Sequence, residues 1–274
     1  MSVRLVISPP KLSDVDITQA SGHVESLTSI STAERRKRPS RGKVRKEGRR
    51  PKDVELEVEV KQDMKRLKGH AGGTGCVVWR TSLYFLEYLL PQLYFSSMPS
   101  LYPPLFNVEA LQQANVLELG SGTGLVATFL AKFVRRWVCS DQLDCLKLIS
   151  QNVSSLDPSN KTNIEIAEVD WLHSTPPPTE AYDLILCLDC VYNPNVIKGL
   201  VQTFDSQAEE GRTVICIVME VRAEDVVGEF LETWLQNGKS DGNKVHWIVN
   251  RFDWGDGDGA GGKFVGWLGW KGKH

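Results

Sequence analysis

No apolar run in this chain reaches the roughly 18 residues needed to cross a bilayer, so no spanning helix is expected. Pro9 and Pro10 in "MSVRLVISPPKLSD" cut off the N-terminus before an apolar signal core could form, which argues against a secretory leader. Histidine is scarce, with five among 274 residues, and no second Cys or His pair at ligand spacing accompanies Cys187 and Cys190. Their lone C-x-x-C therefore cannot supply four zinc ligands, and on a strand end their odd separation tends to turn them to opposite faces. Cys76, Cys139, Cys145 and Cys216 sit mostly in apolar stretches of a chain too large to need disulfides. Reduced thiols in a cytoplasmic protein are the expectation. Internal repeats are also lacking.

What is present divides unevenly along the chain. Between Arg35 and Lys52, "RRKRPSRGKVRKEGRRPK" carries eleven basic residues and one acid. Against whole-chain totals of 32 basic and 34 acidic residues, this leaves 21 basic and 33 acidic elsewhere, a basic arm on an acidic body. Residues 1–52, rich in Ser, Thr, Pro and like charge, are expected to stay disordered, with the cluster 35–52 a candidate contact for RNA or a nuclear address. Residues 53–274 make one domain, for which 41% apolar residues provide a core. Its tail, 255–274, is rich in Gly.

Within that domain the hydrophobic period switches repeatedly. "VELEVEV" (54–60) alternates as a half-buried edge strand. "VVWRTSLYFLEYLLPQL" (77–93) puts Leu83, Leu86, Leu89 and Leu90 on one helical face that Pro91 should end. From Ala114 onward, apolar strands ("NVLEL", "RWVCSD", "NIEIAEVDW", "YDLILCLD", "TVICIVM") alternate with helical segments. That rhythm is the signature of β-α-β units and a mostly parallel sheet. "VHWIV" and "KFVGWLGW" then read as two strands around a Gly/Asp loop.

Ligands of parallel α/β sheets bind where strands end at their carboxyl edge. "ELGSGTG" lies there, with Glu118 closing a strand and Gly120, Gly122 and Gly124 turning into a helix. A dinucleotide fingerprint needs Gly or Ala at position 125, where Leu125 stands, and the acid at 118 disfavours a pyrophosphate. Asp141, ending the next strand, suits both hydroxyls of a ribose and so supports a nucleoside ligand without choosing which.

Together, "GCVVW" (75–79), "VLELGSGTGL" (116–125), "SD" (140–141), "DW" (170–171) and "LDCVY" (188–192) resemble class I, seven-strand S-adenosylmethionine-dependent methyltransferases, specifically methyltransferase family 16. Their order and "VRAEDVVGEFLETWL" look most like the ribosomal-protein lysine methyltransferases of fungi, with those acting on valosin-containing protein next. The resemblance implies a Rossmann-like, doubly wound α/β fold with sheet order 3-2-1-4-5-7-6 and an antiparallel seventh strand. It implies S-adenosyl-L-methionine as cofactor, with Trp79, Glu118, Gly120, Ser121, Gly122, Asp141, Trp171 and Leu188 around it. It also implies that Asp189 and Tyr192, an acid-x-x-aromatic motif, serve substrate recognition and catalysis.

A lysine acceptor reacts only as a neutral amine. Its reference pKa of about 10.4 leaves a gap of about 3.4 pH units at neutrality, worth ~4.6 kcal/mol. A carboxylate alone widens that gap, so Asp189 is expected to capture and orient the ammonium while burial beside Tyr192 favours loss of its proton. The implied partner is a Lys-bearing protein, a ribosomal one among the candidates, met by a monomer with no membrane contact. Two other readings stay open: a methyltransferase for small molecules or nucleic acid, although the [DN]-P-P-[YF] motif of the latter is absent, and a non-catalytic adaptor.

Overall fold

The computed structural model describes residues 1–9, 51–69, 73–98, 104–156, 163–173, 176–237, 245–252 and 264–273. Its centre is set by the strands that read as unbroken apolar runs. β3 (Asn115–Leu119) and β6 (Leu184–Leu188) are buried at every position, as strands covered on both faces must be. β4 (Arg136–Asp141) and β5 (Ile164–Glu168) extend the sheet on one side. On the other side lie β7 (Val214–Glu220), β9 (Phe264–Lys273) and, outermost, β8 (Val245–Phe252). The order is β5-β4-β3-β6-β7-β9-β8, with β9 antiparallel to both neighbours. This is the doubly wound order the sequence implied, reversing direction between β3 and β6, where such sheets open a ligand crevice.

Helices cover both faces. α2 (Arg80–Tyr94), α4 (Leu125–Leu130) and α5 (Leu143–Ser154) belong to one side of the chain's winding, and α6 (Pro194–Gln207) and α7 (Glu224–Gln236) to the other. Two short helices, α1 (Met64–Gly69) and α3 (Val108–Gln112), sit in the connections. Among the described residues no helix is long and apolar enough to cross a membrane.

Two sequence expectations need correction. Ser2–Ile7 forms β1, paired antiparallel with β2 (Val54–Glu59), so the arm cannot begin at residue 1. "SVRLVI" alternates, and Val3, Leu5 and Ile7 are buried in the cluster that contains Phe85 and Leu89 of α2. The arm's residues 10–50, with most of the basic cluster, lie outside the described residues. Pro91 does not end its helix but stands inside α2, which continues to Tyr94. The lost backbone bond is outweighed by Leu89, Leu90 and Leu93, all buried on the face the helix presents to the core.

The two C-terminal strands form where the sequence read them, and the glycines of β9 let aromatic rings lie against its backbone. An added Cβ at Gly269 would stand 2.3 Å from the Trp234 ring, and one at Gly266 would stand 2.4 Å from Phe252. Aromatic rings thus cover backbone that side chains would hold away. Trp234 is fully buried and packs on Phe204, Phe230 and Trp247 at centroid separations of 5.5, 5.5 and 5.6 Å. Trp234→Ala is expected to cost about 3–5 kcal/mol, read as a lowered urea midpoint. Residues 253–263, with the start of the Gly-rich tail, lie outside the described residues.

Candidate active site

The carboxyl ends of β3, β4 and β6 meet at the crevice, and the glycine turn shapes its floor. Gly120, Gly122 and Gly124 all take positive φ, of 67°, 58° and 73°. At Gly120 a Cβ would lie 2.7 Å from the Cys190 sulfur and 3.2 Å from the Trp171 ring. Only glycine lets those two close over the turn. The Gly122 N–H donates to Asp141 Oδ2 at 2.8 Å, and the Gln142 N–H to Oδ1 at 2.9 Å. Cys145 also bonds this carboxylate, and of its roughly four acceptor positions at least one stays available to a hydroxyl donor. Burial raises the Asp141 carboxyl's pKa, opposed by those two backbone bonds. Asn152 of α5 ties the turn to the hairpin exit by donating to the carbonyls of Thr123 and Lys61.

Above the floor is a cavity of about 370 Å³. It is lined by Trp79, Gly120, Ser121, Gly122, Asp141, Trp171, Leu188, Asp189 and Tyr192, that is, by all the residues that the resemblance assigned to cofactor or acceptor except Glu118. Trp171 Nε1 is buried with no partner among the described residues, a donor left for a ligand acceptor. A bare glycine floor, a strand-end carboxylate with spare acceptor capacity and an unsatisfied indole donor fit an adenosyl group. Trp79 adds an aromatic ring suited to a cation, and the Arg222 guanidinium already stands over it. Trp79 itself is fixed by its Nε1–H bond to the Thr74 carbonyl, 2.9 Å. Thr74 Oγ1 also bonds the Tyr192 hydroxyl, 2.7 Å, linking two sides of the cavity's lining.

Glu118 is placed differently from the rest. Its carboxyl turns into the core, where it accepts from Trp137 Nε1 at 3.0 Å, and burial raises its pKa to about 8. The folded protein therefore keeps a proton that the unfolded chain gives up above about pH 4.5. Stability falls as pH rises from there towards about 8. Urea midpoints taken at about pH 5 and about pH 8.5 should show a fall in the parent protein that Glu118→Gln flattens.

Asp189 has φ +58°, alone among the described non-glycine residues in taking a positive value. Its N–H donates to the Val218 carbonyl at 2.7 Å. Its carboxylate accepts two bonds from Arg222, Nη1 to Oδ1 at 3.0 Å and Nη2 to Oδ2 at 2.6 Å, and one from the Glu220 N–H at 3.3 Å. Sequence reasoning gave Asp189 no such partner. The signal was the acid-x-basic "EVR" at the end of the fifth strand of the main sheet, which finishes at the same edge as "LDCVY". The turn at Asp189 also overturns the expectation for the C-x-x-C. Cys190 comes back beside Cys187, and that contact, followed by burial, pushes its thiol pKa well up. All six cysteines are free and buried. Among the described residues no group of three or more His, Cys, Asp or Glu could hold a metal ion.

With this geometry in place, similarity to known proteins becomes informative. The profile of a family described as lysine methyltransferase matches residues 57–236.

The chain belongs to the lysine methyltransferase family.

Among curated relatives, the "Ribosomal lysine N-methyltransferase 5" of Lachancea thermotolerans is 28% identical over 225 residues, covering 58% of this chain and 66% of that protein. The "Protein N-lysine methyltransferase METTL21A" of Danio rerio is 27% identical over 169 residues, 61% of this chain and 68% of that protein. A Schizosaccharomyces pombe protein named "Diaminohydroxyphosphoribosylamino-pyrimidine deaminase" is 36% identical over 181 residues, 64% of this chain but 41% of that protein. The chain thus spans between two-fifths and about two-thirds of the length of these relatives. The deaminase name describes a protein most of whose length lies outside the match.

Proposed function

We propose that this member of the lysine methyltransferase family is an S-adenosyl-L-methionine-dependent protein-lysine N-methyltransferase acting on a non-histone protein, with ribosomal proteins the first class to test. The observation that carries the reading is a single cavity lined by both sets of groups: the glycine turn with Asp141 and Trp171, and Asp189 with Tyr192. The cofactor would supply a methyl group activated on a sulfonium. Asp141 would hold ribose hydroxyls, Gly120 and Gly122 would offer bare backbone, and Trp171 Nε1 would donate to the base. Asp189 would receive and orient the acceptor's ammonium, and Tyr192, held by Thr74, would wall that position. Burial there favours the neutral amine, because the charged form loses its hydration.

The acidic body favours a Lys-rich partner through bulk electrostatics. Contact of the 35–52 cluster with RNA, a monomeric state and a cytoplasmic location belong to the same proposal. Six free, buried thiols support the last of these, since they suit a reducing compartment.

Calorimetric titration of ligand-free protein with S-adenosylmethionine, S-adenosylhomocysteine and NAD tests the cofactor half. Binding of both adenosyl ligands and not of NAD is expected. Binding of NAD, or of none of the three to folded protein, would overturn it.

A further inference from the structure

The Asp189 carboxylate carries a resident cation. Arg222 meets it with two nearly parallel bonds, the geometry of a strong charge-assisted pair. The Asp189 side chain is 2% exposed and that of Arg222 is 38% exposed, so the guanidinium reaches the buried carboxylate from the solvent side. The same guanidinium lies 5.2 Å from the centroid of the Trp79 ring. A carboxylate and an aromatic face make a seat whose chemistry fits any organic cation, an alkylammonium included.

Arg222 also has somewhere else to go. Its Nη2 is already 3.3 Å from Glu220 Oε2, two residues back along the chain, and the Glu220 side chain is 20% exposed. Glu220 also faces Arg80, 3.7 Å from its Oε1, so a guanidinium released from Asp189 keeps its existing Glu220 contact and shares that carboxylate, while the incoming ammonium takes its place on Asp189. Asp189 Oδ2 retains one lone pair beyond its Arg222 bond. An ammonium added there would face the guanidinium's like charge at close range, which opposes simultaneous occupation.

We propose that Arg222 is a built-in occupant of the acceptor's ammonium seat, which an incoming lysine displaces onto Glu220. This rests on the methyltransferase reading for its biological meaning and deepens it by naming a specificity device. An acceptor with a primary ammonium competes for Asp189, whereas a neutral hydroxyl or ring nitrogen brings no charge with which to evict a guanidinium.

The test uses n-butylammonium chloride as the probe, titrated by NMR into the full chain without cofactor, against potassium chloride at equal ionic strength. Arg222→Gln, which keeps a stem over Trp79 and loses the charge, is expected to bind the probe about tenfold more tightly than the parent protein. The double variant Arg222→Gln, Asp189→Asn should lose that gain. Arg222→Lys keeps a weaker, single-point occupant and should fall between, so it carries the test if Arg222→Gln does not fold. Equal affinity in parent and variants, or a gain that survives removal of the Asp189 charge, would overturn the proposal. Because the titration omits cofactor, its failure in protein that still binds S-adenosylmethionine sinks the displaced-arginine device and leaves the methyltransferase reading standing.

Discussion

Asp189→Asn is expected to lower methyl transfer about 100-fold or more while changing cofactor affinity less than about threefold. A displaced reacting group alone can cost on the order of 10² in rate, and here the charge that orients the acceptor is removed as well. Asn suits the test because it tolerates the left-handed backbone that Asp189 adopts at φ +58°. Arg222, 38% exposed, can turn to Glu220, so the fold should survive. Initial rates with labelled S-adenosylmethionine, set beside calorimetry, separate the two effects. Transfer near the parent rate would remove Asp189 from the mechanism, and a matched loss of cofactor affinity would make it a cofactor residue.

Gly122→Ala should act on the opposite quantity and reduce cofactor affinity by about 100-fold, or ~2.8 kcal/mol. A Cβ there would stand 2.9 Å from the Gly75 carbonyl oxygen, which is backbone and cannot swing aside, and φ is +58°. A non-glycine residue in that conformation costs roughly 1–2 kcal/mol before any clash is counted. The Gly122 N–H also anchors Asp141 Oδ2, so a shifted turn carries the ribose acceptor with it. Calorimetry reads the loss directly, and an unchanged affinity would show that the turn does not bound the ligand.

Much of this was legible because it depends on local pattern. The strand-helix alternation prescribed the parallel sheet, and the glycine turn between β3 and α4 marked the crevice. Chain distance hid the rest. β1 pairs with residues 54–59, a partner that its own short alternating run does not announce. Pro91 is tolerated because tertiary burial of α2 outweighs one missing hydrogen bond. Gly266 and Gly269 fall in a segment legible as a strand, but the Phe252 and Trp234 rings that lie over them are set by tertiary packing. Glu118 belongs by motif to the cofactor turn, yet its side chain faces Trp137, an orientation set by packing across β3 and β4. Arg222 lies 33 residues from Asp189, so their pairing required knowing that β6 and β7 are parallel neighbours ending at one edge.

The central claim is that methyl groups pass from this cavity to lysine. Its most direct test is incubation of the purified chain with tritiated S-adenosylmethionine and a salt-washed ribosomal protein fraction, with mass spectrometry of the labelled bands. Methylated lysine, present with the parent protein and lost with Asp189→Asn, is the predicted result. Label on another residue type or on nucleic acid, or lysine label that persists in Asp189→Asn, would contradict the account.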